Sequence, residues 1–255
     1  MSDSAYAVMA AVYDHMNSGL DYGAWADFVE EQFRRYAPRR PEIVLDLACG
    51  TGSMTLELAR RGYDMIRVDN SPDMLTVARS RVAEERMKKV LLLEQDMTGF
   101  ELYGTVGAVV CCLDSINHLT EHSALSRCFS LVRNYLDPHG LFLFDVNTPY
   151  KFKNVYGYND FILDDPDTGT VCCWRNTYDE EHALCDFDLS FFIPRGDGTY
   201  DRADALQTER CYTEPQLRRC LKKNGFELCG IWSDYGFTPF AETDERWYVA
   251  ARRMP

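Results

Sequence analysis

Four stretches of the chain end an apolar run on residues able to hold a ligand. The first is Val44-Leu45-Asp46-Leu47-Ala48-Cys49-Gly50-Thr51-Gly52. Its small residues let the backbone turn sharply and let a ligand come close to the main chain. The second ends in Asp69, 19 positions after Gly50, and runs on through Asn70-Ser71-Pro72-Asp73-Met74-Leu75. A carboxylate there can accept both hydroxyls of a ribose in charge-assisted hydrogen bonds. The third ends in Gln95-Asp96-Met97, and the fourth in Leu113-Asp114-Ser115-Ile116-Asn117-His118. The turn lacks the dinucleotide spacing G-x-G-x-x-G, and no P-loop lysine pattern occurs. A glycine turn alone serves any strand–helix junction, so the weight rests on four such ends arriving together.

A parallel sheet would bring them together. Ile43–Leu47, Met65–Val68, Val90–Leu93, Ala108–Leu113 and Leu141–Val146 are apolar with little alternation. That is the pattern of strands buried on both faces. Helix-length segments at Ser53–Arg61, Pro72–Met87 and Glu121–Leu136 lie between them. Ser71 and Pro72 fit an N-cap and first turn, while Pro138 and Gly140 turn the third helix into the next strand. Repeated strand–helix order predicts a doubly wound α/β sheet. Its strand carboxyl ends share the edge where open α/β folds bind ligands.

The pattern changes after Val146. Thr170–Thr177, Cys185–Ile193 and Ala205–Tyr212 are β-rich, with a turn signal at Arg195-Gly196-Asp197-Gly198. Residues 147–212 therefore read as an antiparallel β cap inserted into a core of residues 37–146 and 213–255. The core resumes with a helix near Thr213–Asn224, ended by Gly225, and strands at Phe226–Ser233 and Arg246–Ala251. The expected sheet is mostly parallel and seven-stranded. Residues 1–36 read as N-terminal helices punctuated by Gly19. They have no place in the parallel sheet and are expected to form a lid over its carboxyl edge.

These motifs resemble those of the class I S-adenosylmethionine-dependent methyltransferases, covering residues 43–146 well and the terminal strands loosely. Asp46-Leu47-Ala48-Cys49-Gly50-Thr51-Gly52 is similar to the family's first motif, L-D-L-G-C-G-T-G, with Ala48 replacing the first glycine. Val68-Asp69-Asn70-Ser71-Pro72-Asp73-Met74-Leu75 resembles the second. The resemblance implies a Rossmann-like core and S-adenosyl-L-methionine as cofactor. It implies a cofactor site of Tyr13, Asp46, Ala48, Cys49, Gly50, Gly52, Asp69, Asn70, Met74, Asp96, Met97, Leu113 and Asp114. In such a site Asp69 binds the ribose and Asp96 lies near the adenine amino group, with Asn70 and Met97 beside the ring. Leu113 and Asp114 sit under the sulfonium. The leader Met9-Ala10-Ala11-Val12-Tyr13-Asp14-His15-Met16 and Asp21-Tyr22-Gly23-Ala24-Trp25 is similar to that of small-molecule members, including aminosugar N-methyltransferases. There the tyrosine matching Tyr13 closes over the methionine part of the cofactor. The alternative is that Tyr13 and Trp25 merely pack a helix on the sheet.

Composition bounds the partners. Hydrophobic residues are 46% and charged residues 26%, an ordinary globular balance. No apolar run approaches the roughly 18 residues of a membrane span, and the opening Met-Ser-Asp-Ser-Ala-Tyr lacks signal-peptide regions. A cytoplasmic setting is expected. Lys+Arg is 27 against Asp+Glu 40, so the net charge of −13 repels phosphate backbones and anionic lipid. A small-molecule acceptor is expected, with neither nucleic acid nor membrane as partner. Oligomeric state stays open, a homodimer being the candidate assembly. Ten cysteines without a Cys-x-x-Cys read as reduced core residues.

Two rival motifs weigh little. His118-Leu119-Thr120-Glu121-His122 matches H-x-x-E-H formally but straddles a strand end and a helix start, so no metal is expected. Asn147-Thr148-Pro149-Tyr150 is similar to the N-P-P-Y box of nucleic-acid amino-methyltransferases but follows the fifth strand, not the fourth. The remaining alternatives are a cofactor-binding protein without transferase activity and a methyltransferase acting on RNA or protein.

Methyl transfer from a sulfonium is an in-line displacement, accelerated chiefly by alignment and exclusion of water. An amine acceptor must first be neutral, which leaves room for a general base, whose use stays open. Tyr13 and His118 are the candidates, with Asn117 nearby; the pKa range of histidine suits the task. The alternative for His118 is packing or capping at the strand end. Tyr150, Tyr156, Tyr158, Trp174 and Tyr178 are candidates for the acceptor pocket, or else form the core of the cap. Nitrogen, oxygen and carbon acceptors all stay open.

Overall fold

The computed structural model describes residue 10, residue 17 and residues 19–255. Tyr13 lies outside the described residues. Helix α1 (Tyr22–Tyr36) precedes β1 (Ile43–Leu47), α2 (Ser53–Arg60), β2 (Asp64–Asp69), α3 (Pro72–Glu84), β3 (Val90–Glu94) and β4 (Val106–Cys111). A 3-10 turn (Ser115–His118) leads to α4 (His122–Tyr135) and β5 (Leu136–Asn147). A π-helical turn (Lys151–Tyr156) then opens four strands: β6 (Asp160–Asp165), β7 (Thr170–Asp179), β8 (Leu184–Pro194) and β9 (Tyr200–Arg210). Helix α5 (Glu214–Lys223), β10 (Phe226–Trp232) and β11 (Arg246–Arg253) close the chain.

Seven strands form one sheet in the order β10-β11-β5-β4-β1-β2-β3. β1 pairs in parallel with β2 on one side and β4 on the other. The winding therefore reverses at β1, and the glycine turn that follows it opens between the two halves. β4–β5 and β2–β3 are also parallel, while β5–β11 and β10–β11 are antiparallel.

Each face of the sheet buries its own layer. On one, Phe129 of α4 and Leu217 and Leu221 of α5 pack on Phe142, Phe144 and Trp247. On the other, Trp25, Phe28 and Phe33 of α1 and Met54 and Leu58 of α2 pack on Val44, Val110 and Leu143. Each such side chain contributes about 1.5–3 kcal/mol when fully buried. Residues 22–36 carry an apolar helical stripe, Trp25, Phe28, Val29 and Phe33, that can be satisfied only against a broad apolar surface. The sheet face supplies it, and the Trp25 ring meets Tyr235 and Tyr248 there.

The four remaining strands form a separate antiparallel sheet in the order β6-β7-β8-β9. The sequence signals three β-rich runs; the structure adds β6 and starts β9 at Tyr200 rather than Ala205. β6 reads Asp-Phe-Ile-Leu-Asp-Asp, and its three acids mask a short strand whose Phe161 and Leu163 are half-buried. At the β8–β9 turn the Arg195 N–H donates to the Thr199 carbonyl at 2.8 Å, and Gly198 takes a φ of 85°. The inner face of this cap meets the core through Leu189, Phe191, Ala203 and Ala205, which pack with Met74 and Ala10. Among the described residues no helix is long and apolar enough to cross a membrane. All ten cysteines are free thiols.

Candidate active site

The end of β1 carries three left-handed residues in five: Ala48 (φ 57°), Gly50 (φ 54°) and Gly52 (φ 85°). Glycine adopts that region without penalty, whereas alanine at position 48 costs about 1 kcal/mol. The turn is pinned by Asp69 at the end of the neighbouring strand. Gly50 N–H donates to Asp69 Oδ2 and Ser71 N–H to Oδ1, each at 2.8 Å. Each carboxylate oxygen accepts one bond from the chain and keeps capacity for another. Burial holds the Asp69 pKa above the ordinary value, against the bonds from Ser71 and Gly50.

Asp46 lies fully buried on β1, bonded by the Thr55 hydroxyl. Burial lifts its carboxyl to about 6, against the opposing effects of Thr55 and Arg67. Asp46, Ala48 and Cys49 line a small side pocket with Tyr22 and Leu113. Gly52 caps α2, and a Cβ on it would come within 2.7 Å of the buried Arg67 guanidinium.

Above the turn lies a cavity of about 390 Å³, within the 300–1,000 Å³ usual for small-molecule sites. The core contributes Ala48, Gly50, Asp69, Asn70, Met74, Gln95, Met97, Leu113, Asp114 and His118 to its wall. The cap contributes Tyr156, Leu163, Trp174, Phe187, Leu189, Gln207 and Glu209, and Asn17 borders it from the N-terminal side. Asp96 sits outside this wall, at the rim. Its Oδ1 takes the Thr98 N–H at 2.7 Å, and the Asn70 amide reaches Oδ2 at 3.5 Å. Burial would raise the Asp96 pKa, but the bonds from Thr98 and Asn70 outweigh it and hold the group below its ordinary value. Of the aromatic candidates, Tyr156 and Trp174 face the cavity, whereas Tyr178 stacks on Phe152 inside the cap and Tyr158 is 79% exposed. Tyr150 takes no part in the wall.

The two histidines of the H-x-x-E-H stretch diverge. His118 Nε2 lies 3.7 Å from Glu209 Oε1, while the His122 ring meets Tyr212. Among the described residues no group of three or more His, Cys, Asp or Glu side chains has the geometry to hold a metal.

The sequence reading missed the polar network at the far end of the cavity. Leu113 and Asp114 both take left-handed backbone (φ 58° and 52°) after β4. Asp114 N–H donates to Asp145 Oδ2 at 3.0 Å, and Asp114 Oδ1 pairs with Arg246 Nη1 at 2.9 Å. The Asn147 amide nitrogen donates to Asp114 Oδ2 at 2.9 Å and to Glu209 Oε2 at 3.0 Å. Lys151 Nζ donates to Asn147 Oδ1 at 3.0 Å. Asn117 ties the cap in place, its amide donating to the Arg210 carbonyl at 2.9 Å.

The network splits its acids. Burial acts to raise Asp114, yet Arg246, Lys151 and His118 bring it to about 2. Burial and then Asp114 push Glu209 well above the carboxylate range. The low-dielectric walls of the cavity pull His118 below the ordinary histidine value, against Asp114 and Asp69. Two of the missed acids left a signal. Asp145 is the one charge within Leu141–Val146. Glu209 shares the inward alternation of Ala203 and Ala205 along β9. Nothing around Arg246 marked it.

A glycine turn pinned by a strand-end carboxylate, at the reversal point of this sheet, defines an α/β nucleoside-cofactor site. The family model described as a methyltransferase domain matches residues 44–140. The methyltransferase-type protein YqeM of Bacillus subtilis (strain 168) is 32% identical over 251 residues, spanning 97% of each chain. The crystal structure of an S-adenosylmethionine-dependent methyltransferase from Clostridium acetobutylicum ATCC 824 superposes with a TM-score of 0.86 at 29% identity, covering 98% of this chain and 99% of that one. The dTDP-3-amino-3,4,6-trideoxy-alpha-D-glucopyranose N,N-dimethyltransferase of Streptomyces venezuelae is 30% identical over 149 residues, 58% of this chain and 59% of its own. The chain belongs to the S-adenosylmethionine-dependent methyltransferases, and S-adenosyl-L-methionine is its cofactor. The cavity fits that molecule: Asp69 has accepting capacity left for two hydroxyls, and the turn leaves its main chain open to close approach.

Proposed function

We propose that the enzyme methylates a small-molecule nitrogen acceptor held between the core edge and the cap. The observation that carries this reading is a buried carboxylate, Glu209, beside the half-buried Asp114, in the wall of the same cavity as Asp69 and the glycine turn. Carboxylates in such a wall favour an amine, which arrives as a cation and can take up their counter-charge, over a neutral hydroxyl. The Streptomyces relative, an amino-sugar dimethyltransferase by name, supports nitrogen as well.

On this reading Asp69 holds the cofactor ribose. Ala48, Cys49, Gly50 and Gly52 form the turn beneath the methionine part, with Asp46 behind it. Asn70, Met74, Asp96 and Met97 surround the adenine, and Leu113 and Asp114 underlie the sulfonium. When bound, S-adenosylmethionine would supply an activated methyl group for transfer to the acceptor nitrogen. The chain contributes alignment, exclusion of water and proton management. Residues 37–146 and 213–255 form the cofactor-binding core, and residues 147–212 roof the acceptor. A lid role for the N-terminal segment is part of the proposal; Asn17 in the cavity wall and Ala10 against Met74 favour it. The charge of −13 weighs against nucleic acid, and ten free thiols favour the cytoplasm.

Transfer of labelled methyl to a panel of small amines and matched alcohols tests the proposal. Methylated amines are the expected products. Label found only in alcohols, RNA or protein would overturn it.

A further inference from the structure

We infer that Glu209 Oε1 is the seat of the acceptor nitrogen and its proton acceptor, with Asp114 as the fixed anion beside it. The inference rests on the proposed nitrogen acceptor and assigns the chemistry of that half of the cavity.

The two carboxylates share a clamp but differ in what remains free. Asn147 donates its two amide hydrogens one to each. Asp114 is further held by Arg246 Nη1 at 2.9 Å. Glu209 has no such cation: its Oε2 takes the Asn147 amide, its carboxyl hydrogen-bonds the Asp114 side chain, and no described N–H donates to Oε1. His118 Nε2 stands 3.7 Å from Oε1, beyond a hydrogen bond. Glu209 therefore lines the cavity with one oxygen that no described N–H occupies.

Charge points to the same occupant. Three carboxylates, the buried Asp145 and Glu209 and the half-buried Asp114, face two cations, Arg246 and Lys151. With all ionised the cluster lacks one positive charge. A buried unbalanced charge is removed by taking up a proton or by binding a counter-ion. Burial acts to raise both cavity acids, and Arg246 overrides it at Asp114 alone. Such a separation gives two carboxylates separate tasks. Asp114 and Arg246 act most on Glu209, while Lys151, Tyr156, Cys185 and His118 also face it.

The resting Glu209 thus holds a proton. An arriving ammonium replaces it as counter-charge, and that proton leaves past His118, a cavity-wall residue with an exposed side chain. In the reactive complex one N–H bond of the ammonium breaks. Its proton passes to Glu209 Oε1, and the bonding pair stays on nitrogen as the lone pair that attacks.

The test uses the full chain saturated with S-adenosylhomocysteine, titrated calorimetrically with n-butylamine and with n-butanol in two buffers of different ionisation enthalpy. Butylamine should bind at least tenfold more tightly than butanol and release about one proton per site. Glu209→Gln, nearly the same shape, should bind S-adenosylhomocysteine normally yet lose both the preference and the proton release. Butanol binding as well as butylamine, or no amine binding at all, would overturn the inference without any variant. Proton release retained in Glu209→Gln would assign it to Lys151 and overturn the inference too. So would a loss of S-adenosylmethionine affinity in Glu209→Gln with amine binding untouched, which would assign the carboxylate to the sulfonium. If the methyl-transfer panel yields methylated amines while these titrations fail, the nitrogen reading stands and only the role of Glu209 falls.

Discussion

Asp69 is asked to do two things at once, and alanine at that position separates them. Its carboxylate is proposed to accept the ribose hydroxyls; hydrogen bonds to a charged group contribute about 1.5–3 kcal/mol. Losing that should raise the cofactor Kd roughly tenfold to a hundredfold. The same two oxygens also accept the Gly50 and Ser71 N–H groups at 2.8 Å. Orphaning a buried donor costs about 1–3 kcal/mol, and in a chain of this size each 1 kcal/mol lowers Tm by about 2–4 °C. Asp69→Ala should therefore weaken binding and also lower the melting point of the apo protein by several degrees. Asp69→Asn keeps one acceptor oxygen but turns an NH₂ toward the other donor, so it should fall between the two in both respects. Isothermal calorimetry with S-adenosylmethionine and calorimetric melting of the apo protein read the two effects independently. A Kd for Asp69→Ala within threefold of the parent would refute the ribose assignment. An unchanged melting point would show that the bonds to Gly50 and Ser71 do not hold the turn.

Asp46 has its carboxyl lifted to about 6 by burial, above the unfolded value of about 3.9, so the native state binds the extra proton. Stability therefore falls as pH rises from about 4 to about 6 and is level above that, by up to about 3 kcal/mol. Asp46→Asn, which can still accept from Thr55, should raise Tm at pH 7 and lose that advantage below pH 4; melting curves across pH check it. Gly52→Ala forces a Cβ to within 2.7 Å of Arg67 at a φ of 85°. Strain of that backbone alone costs about 1–2 kcal/mol, so a Tm lowered by several degrees is expected, and an unchanged Tm would contradict the packing. Hydrogen exchange on cofactor binding should slow in the segment ahead of Tyr22 and stay unchanged in Tyr22–Tyr36, which packs on the sheet face. Protection spread equally over both would count against a lid confined to the first segment.

The cofactor half of the site was legible in the chain because its parts are local. The glycine turn and Asp69 stand at the ends of consecutive strands, and once β1 and β2 pair in parallel the two ends must meet. The strand and helix pattern also announced the seven-stranded sheet, since buried parallel strands and amphipathic helices differ in period. The same pattern could not say which surface α1 would cover. An apolar stripe asks for a partner without naming it, and Trp25 found the sheet face rather than the carboxyl edge. The acceptor half was set by tertiary structure. Arg246 reaches Asp114 because β11 runs antiparallel to β5 and sets Arg246 opposite Asn147. Glu209 meets the same amide because Asn117 anchors the end of β9 to the core. Charge, burial and hydrogen bonding between such distant segments depend on through-space distance, which no spacing along the chain encodes. The residues that grip the cofactor were therefore readable from the sequence, whereas those that grip the acceptor became recognisable only once the cap closed against the sheet and excluded water from between them.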